Sequence, residues 1–115
     1  MSAKIYNTPK ERNAHRQHRK KPEVQRHTKE YTLLRKYGIT LAEYEGMFFL
    51  QNGQCPICPD SLELRATGAN RVVVDHSHDT QKVRGLLHHR CNLALGYLRD
   101  NAESCRNAAT YLETA

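Results

Sequence analysis

Tryptophan is absent from this sequence, and hydrophobic residues are few. Only 38% of the 115 residues are hydrophobic, which is little for a core that must hold a domain together by apolar burial alone. The chain is too short for a barrel, a doubly wound α/β fold or a two-domain enzyme. Because no run of about 18 apolar residues occurs, we expect no membrane-spanning helix.

The sequence also lacks the apolar stretch of a secretory signal at its charged N-terminus, so we expect a cytoplasmic protein with no membrane partner. Four cysteines and seven histidines are present instead. In a reducing compartment, paired cysteines are more often metal ligands than disulfides. A bound metal would supply the stability that so small an apolar core cannot.

Acidic residues are scarce in the first third of the chain. Residues 1–36 hold 11 Lys and Arg against 3 Asp and Glu, whereas residues 37–115 hold 7 against 9. The first segment therefore carries a net charge of +8 and the second a net charge of −2. A segment with this charge attracts a polyanion whatever the polyanion's sequence.

We divide the chain accordingly into a basic N-terminal arm, residues 1–30, and a compact domain, residues 31–115. The arm is either a solvated or disordered tail with no specific partner, or an arm that contacts nucleic acid phosphates through Arg19, Lys20 and Lys21. A membrane-surface helix is disfavoured, because no apolar face accompanies the charge.

Helix signals occur at five places. Pro22 interrupts or starts a helix in the arm, and a short amphipathic helix ends at Gly38. Thr40 and Glu43 form the sequence pattern of a capping box, which predicts a helix over about 41–52. Two further helices are predicted, one over about 89–99 and one that follows Asn101 and ends near 113.

Strand signals fall between these helices. Leu62–Arg65 alternates and Arg71–Asp75 is rich in β-branched residues, so we predict that the two pair as a hairpin. Gly85 and the Asp79-Thr80 pair break any regular period, which predicts an irregular loop over 76–88. In the second strand, Asp75 and Ser77 would face one way and His76 and His78 the other.

Two ligand pairs share one spacing. Cys55 and Cys58 form a C-x2-C pair, and His88 and Cys91 repeat that spacing further along the chain. Two such pairs close a tetrahedral zinc site. His89 is an alternative fourth ligand because it adjoins His88. The remaining Cys105 is expected to be a small buried residue of the last helix.

Oxygen and nitrogen donors are predicted to meet beside this zinc site. Asn92 directly follows Cys91, and one step along a helix turns a side chain by about 100°, so Asn92 would face the hairpin. Asp75 and Asn92 would then offer the oxygen ligands that Mg²⁺ or Mn²⁺ prefers. A neighbouring His could accept a proton from water, and these parts suffice for phosphodiester hydrolysis.

Three segments, CPIC, VDHSHDTQKVRGLL and HHRCN, carry a resemblance to a known family. They resemble the HNH (ββα-metal) nucleases, and most closely the phage recombination endonuclease VII type. The stretch KYGITLAEYEGMFFLQNGQC is also similar to the helical lead-in of these proteins, so the resemblance covers about residues 30–100. The chain departs from the family at His88, where these proteins usually have Cys.

The resemblance implies a small α+β fold: a zinc-stapled ββα-metal core with flanking helices, here preceded by the basic arm. It implies a phage- or prophage-encoded, metal-dependent DNA endonuclease acting in the host cytoplasm on double-stranded or branched DNA. Whether it acts as a monomer or a homodimer stays open.

The resemblance also assigns roles to individual residues. His76 would be the general base, and His78 would assist by contacting the phosphate or positioning the metal. Asp75 and Asn92 would hold Mg²⁺ or Mn²⁺. The structural zinc ligands would be Cys55, Cys58, His88 and Cys91.

The remaining expectations concern three arginines and two alternative functions. Arg84 is assigned to DNA binding, with a surface role as its alternative, while Arg71 and Arg90 are expected to be solvated. The alternative to a nuclease is a non-catalytic, zinc-stapled nucleic-acid-binding module, or an adaptor protein. Cleavage that depends on a divalent cation separates the nuclease from both.

Overall fold

The computed structural model describes residues 8–115, which form a small α+β fold of five α-helices, a short 3-10 helix and one two-stranded antiparallel sheet. This confirms the predicted fold class. The chain divides into two compact units, residues 1–41 and 42–115, and each is described by itself. The elements are α1 (Pro9–Arg19), α2 (Pro22–Tyr37), α3 (Leu41–Leu50), the 3-10 helix (Gly68–Asn70), β1 (Val72–His76), β2 (Val83–His88), α4 (His89–Tyr97) and α5 (Ala102–Thr114).

Most of the first unit consists of the two basic helices α1 and α2. The Thr8 hydroxyl accepts the Glu11 backbone N–H at 3.1 Å and the Glu11 carboxylate accepts the Thr8 N–H at 3.0 Å, so a capping box opens α1. Pro22 is the first residue of α2, which confirms that it starts a helix. Gly38, at φ 67°, ends α2 in the left-handed conformation that favours glycine. Residues 1–7 of the arm lie outside the described residues.

A closed loop follows α3 and carries the first cysteine pair. α3 ends two residues earlier than predicted, because Asn52 and Gly53 both adopt positive φ and turn the chain. The Leu62 N–H then donates to the Gly53 carbonyl at 2.7 Å, and Gln54 forms a bridge with Ser61. The loop is therefore closed at its base and presents Cys55 and Cys58 within it.

The strand predicted to pair with β1 is wrong. β1 pairs with Val83–His88, a segment predicted to be loop, whereas Leu62–Arg65 forms no strand. A turn in which the Ala66 N–H bonds the Glu63 carbonyl at 2.9 Å ends that segment. Gly85 does not break β2; a Cβ there would lie 3.1 Å from the Gln51 Oε1, so this glycine marks a close approach between two segments.

The hairpin contains a bulge at the end next to its connecting turn. Asp75 pairs with Gly85 and His76 pairs with Val83, which leaves Arg84 as the extra residue of β2. The Ser77 N–H donates to the Lys82 carbonyl at 2.8 Å and closes the connecting turn. Because β1 ends at His76, the predicted strand alternation stops before Ser77 and His78.

Two helices after the hairpin agree with prediction. α4 begins directly after β2 and packs against both strands. It ends at Tyr97, two residues earlier than predicted, and Arg99 and Asp100 turn the chain at positive φ. The Asn101 side chain then accepts the Ser104 N–H at 2.9 Å, which confirms the predicted cap of α5. Within residues 8–115, we find no helix with the length and apolar character needed to cross a membrane.

The Gln51 side chain hydrogen-bonds the outer edge of β2, as the backbone of a third strand would. Its side-chain amide donates to the Leu86 carbonyl at 3.0 Å, and its Oε1 accepts the Leu86 N–H at 2.9 Å. The same amide also donates to the Gln54 carbonyl at 3.0 Å. Since Leu86 is fully buried, its outward backbone groups would otherwise have few partners.

We predict that Gln51→Ala lowers the free energy of unfolding by about 1–3 kcal/mol, because it leaves two backbone groups beside a buried side chain unpaired. The measurement is urea unfolding of the zinc-loaded chain. Gln54→Ala is the matched control: its amide bonds the exposed Ser61 hydroxyl, and its removal should cost less than about 0.5 kcal/mol. Equal losses for the two variants would contradict this role of Gln51.

Candidate functional site

Three separate segments bring four potential metal ligands together. The closed loop after α3 contributes two, the end of β2 contributes one and the first turn of α4 contributes one. Their ligand atoms all lie within 4.8 Å of one another. We call this group the cysteine–histidine cluster; its members are Cys55, Cys58, His88 and Cys91.

The imidazole of His88 is oriented by two contacts. Its Nδ1 lies 3.2 Å from the Cys58 Sγ, and its Nε2 lies 3.1 Å from the Ser61 carbonyl oxygen. A carbonyl only accepts, so we assign the proton to Nε2, which leaves Nδ1 as the donor atom facing the sulfurs. The alternative ligand, His89, instead places its Nε2 3.3 Å from the Arg71 guanidinium.

The thiols of the cluster differ in acidity. Burial acts to raise the pKa of Cys55, but backbone N–H groups and the His88 side chain outweigh it and lower that pKa to about 6. Burial, followed by the neighbouring Cys58 and Cys55 sulfurs, raises the pKa of Cys91 to about 12. Three sulfurs and one imidazole nitrogen at this separation are a donor set that fits Zn²⁺. The cluster could therefore hold a zinc ion.

Arg90 was expected to be solvated, but its side chain contacts the cysteine–histidine cluster. Its guanidinium donates to the Cys58 Sγ at 3.3 Å and to the Cys91 Sγ at 3.7 Å. It also bonds the Asp60 carboxylate at 2.8 Å and the Asn70 side chain at 2.9 Å. A positive charge against two sulfurs offsets the negative charge that thiolates bring to such a cluster.

The residues predicted for catalysis lie at the other end of the hairpin and on α4. Asp75 is buried and His76 half-buried at the end of β1, while His78 is exposed in the turn that follows. The His76 and His78 ring centroids are 5.5 Å apart. Asn92 is half-buried on α4, which packs against β1. The structure thus places the two histidines side by side, next in sequence to a buried carboxylate.

Arg84 joins this end of the hairpin to the turn after α4. Its Nε and Nη2 bond the two oxygens of Asp75 at 2.8 and 3.0 Å. Its Nη1 and Nη2 bond the two oxygens of Asp100 at 3.1 and 2.8 Å. We call this arrangement the Arg84 bridge. It uses four of the five N–H donors of the guanidinium.

Asp100 is a site residue that the sequence did not indicate. The hydrogen bonds from Arg84 lower the pKa of Asp100, and the charges of His78 and His76 act in the same direction. The hydrogen bonds to Asp75, followed by those to Asp100, raise the pKa of Arg84. Asp100 also lines a cleft of about 320 Å³ together with His78, Asp79, Gly96 and Arg99. No spacing pattern links residues 84 and 100, so only the fold reveals the pair.

The first unit carries a groove between its two helices. The groove has a volume of about 490 Å³, and cationic residues from α1, α2 and the turn between them line it together with two threonines. We call it the basic groove. Its cations are Arg16, Arg19, Lys20 and Lys29, and its threonines are Thr28 and Thr32.

Comparison with known proteins identifies the family. The family model for recombination endonuclease VII matches residues 30–114. The chain is also 44% identical over 85 residues to the Gene 59 proteins of Mycobacterium phages D29 and L5. The aligned part is 72% of this chain, and the chain spans about half the length of these curated relatives. No solved structure matches the chain significantly. The chain belongs to the recombination endonuclease VII family.

Proposed function

We propose that this protein is a metal-dependent DNA endonuclease of the HNH type that hydrolyses phosphodiester bonds. Family membership implies a nuclease-type function, and hence a nucleic acid substrate. The observation that carries the finer proposal is the pair of adjacent imidazoles, His76 and His78, that follow the buried Asp75 at the end of β1. Because both relatives are phage proteins, we also propose a phage-encoded enzyme that acts in the host cytoplasm.

In this mechanism His76 accepts a proton from the attacking water. A half-buried imidazole at a strand end has a defined orientation and still reaches solvent, which suits a general base. His78 is exposed 5.5 Å away and contacts the phosphate. His76 therefore serves in proton transfer and His78 in substrate contact.

Asp75 and Asn92 would hold a Mg²⁺ or Mn²⁺ ion. Their carboxylate and amide oxygens are the donor types that such hard cations prefer. When bound, the cation would stabilise the negative charge that develops on the phosphate. Arg84 holds the Asp75 carboxylate in one orientation through two bonds, so this ligand would be ready before the cation arrives.

DNA attraction would come from the first third of the chain rather than from the remainder. Residues 37–115 carry a net charge of −2, whereas residues 1–36 carry +8. Cationic residues and threonines line the basic groove, and both residue types can donate hydrogen bonds to phosphate oxygens. The substrate would be double-stranded or branched DNA.

We predict that His76→Ala lowers the cleavage rate by about 10²–10⁴-fold, the usual contribution of a general base, while DNA binding persists. Supercoiled plasmid with Mg²⁺ or Mn²⁺ is the substrate, and the readout is nicked and linear DNA. His27→Ala, an exposed histidine of α2, is the matched control and should cleave normally.

A folded, zinc-loaded wild-type chain that cleaves neither plasmid nor branched DNA would contradict the nuclease. That result would favour the zinc-stapled binding module. Cleavage that survives in His76→Ala would instead contradict only the assignment of the base.

We predict that Cys55→Ser abolishes zinc binding and cooperative unfolding together, because metal binding and folding are coupled in small metal-stapled domains. Zinc content by atomic absorption and thermal unfolding by circular dichroism provide the two readouts. Cys105→Ser is the control: that half-buried thiol lies in α5 outside the cluster, so both readouts should stay near wild type. A Cys55→Ser chain that keeps its zinc would contradict the proposed ligand set.

We predict that Arg19→Gln with Lys20→Gln weakens binding to a DNA duplex and makes it less dependent on salt. Each lost phosphate contact should reduce the slope of log affinity against log salt by about 0.9. Fluorescence anisotropy without added Mg²⁺ or Mn²⁺ gives the slope. Arg35→Gln with Lys36→Gln removes the same charge from the last turn of α2, outside the groove. Equal slopes for both double variants would show that the groove has no special part in binding.

A further inference from the structure

Arg84 is the unpaired residue of the hairpin bulge, and the bulge aims its side chain at two carboxylates rather than one. The three side chains differ in burial. The Asp75 side chain is 9% exposed, that of Asp100 is 22% exposed and that of Arg84 is 39% exposed. The bridge therefore runs from a buried carboxylate at the candidate active site to a more accessible carboxylate in the turn after α4.

The charges of the bridge do not cancel. One guanidinium between two carboxylates leaves a net charge of −1. If Arg84 paired with Asp75 alone, the two would form a neutral pair, and the carboxylate would attract a dication less strongly. Because Arg84 divides its donors between Asp75 and Asp100, the guanidinium compensates the charge of Asp75 less fully while it still fixes the orientation of that carboxylate.

Asp100 is itself held by the backbone. It adopts φ 53° directly after Arg99 at φ 60°, a conformation uncommon for residues other than glycine. Its N–H donates to the Leu95 carbonyl at 2.7 Å, and the next residue, Asn101, caps α5. The backbone therefore holds Asp100 at a position from which its carboxylate binds Arg84.

We propose that Asp100 is a positioning residue: through Arg84, it keeps the Asp75 carboxylate oriented and only partly neutralised for a divalent cation. This inference rests on the proposed function, because it assigns Asp100 a part in the same metal site. Asp100 acts through Arg84 and contacts neither cation nor phosphate. The bridge also gives Arg84 a role different from the DNA contact predicted from the sequence.

Asp100→Asn tests the proposal, because it removes the charge of Asp100 and keeps its shape. We expect Mn²⁺ to bind roughly tenfold more weakly, the lower end of the range for residues that support a metal ligand. Zinc-loaded full-length chain is titrated with Mn²⁺, and free Mn²⁺ is measured by electron paramagnetic resonance, so no cleavage is required. Glu103→Gln, three residues further along in α5, loses the same charge outside the bridge and should bind Mn²⁺ as the wild type does.

A double-mutant cycle with Arg84→Gln tests the route. If Asp100 acts through Arg84, Asp100→Asn should have no further effect on Mn²⁺ affinity in the Arg84→Gln chain. An equal loss in both backgrounds would overturn the proposal, since Asp100 would then act directly on the cation. Circular dichroism of each variant verifies that the chain is folded before titration.

Asp75→Asn separates failure of this inference from failure of the proposed function. If Asp75→Asn loses Mn²⁺ binding but Asp100→Asn binds like the wild type, the positioning role is wrong and the proposed metal site stands. If wild type and Asp75→Asn bind Mn²⁺ equally, the proposed metal site itself is wrong, and the positioning role fails with it.

Discussion

The convergence of three chain segments on the cysteine–histidine cluster is the constraint on which the second unit, residues 42–115, depends. Few apolar side chains are available for its core, and the cluster compensates by joining the loop after α3, the end of β2 and the start of α4 within 4.8 Å. His88 ends the strand and His89 begins the helix, so the cluster fixes the angle at which α4 leaves the sheet. Asn92 directly follows the ligand Cys91, and its position is set by the same constraint.

The ββα unit is linked at both ends. The cysteine–histidine cluster holds the end where Val72 pairs with His88, and the Arg84 bridge holds the end where Asp75 pairs with Gly85. A strand of five residues spans about 17 Å and a helix of nine residues about 14 Å, so β1 and α4 are similar in length. Links at both ends restrict sliding and rotation of α4 on the hairpin, which the proposed catalytic site would require because its residues are divided between these elements.

Local signals in the sequence predicted much of this architecture. Pro22, Gly38 and Asn101 marked helix ends correctly, because caps and breakers act within a few residues of themselves. The two ligand pairs identified the cluster because the spacing within each pair is also a local signal. Strand pairing depends on non-local contacts, and here Gly85 was misleading: its lack of a side chain admits Gln51 beside β2 and does not end the strand. Asp100 was missed because it meets Arg84 only after the hairpin and α4 have packed.

The separation of charge along the chain follows from the demands of the proposed chemistry. A site that attracts a dication benefits from a net negative charge, and the Arg84 bridge supplies one beside His76. The same negative charge repels the phosphates of a DNA substrate, and residues 37–115 as a whole are close to neutral. Long-range attraction of DNA therefore has to come from elsewhere in the chain, and the positive surplus of residues 1–36 is large enough to provide it. In the proposed function, catalytic metal binding and DNA attraction would have opposite electrostatic requirements, and the concentration of the positive surplus in residues 1–36 would meet both.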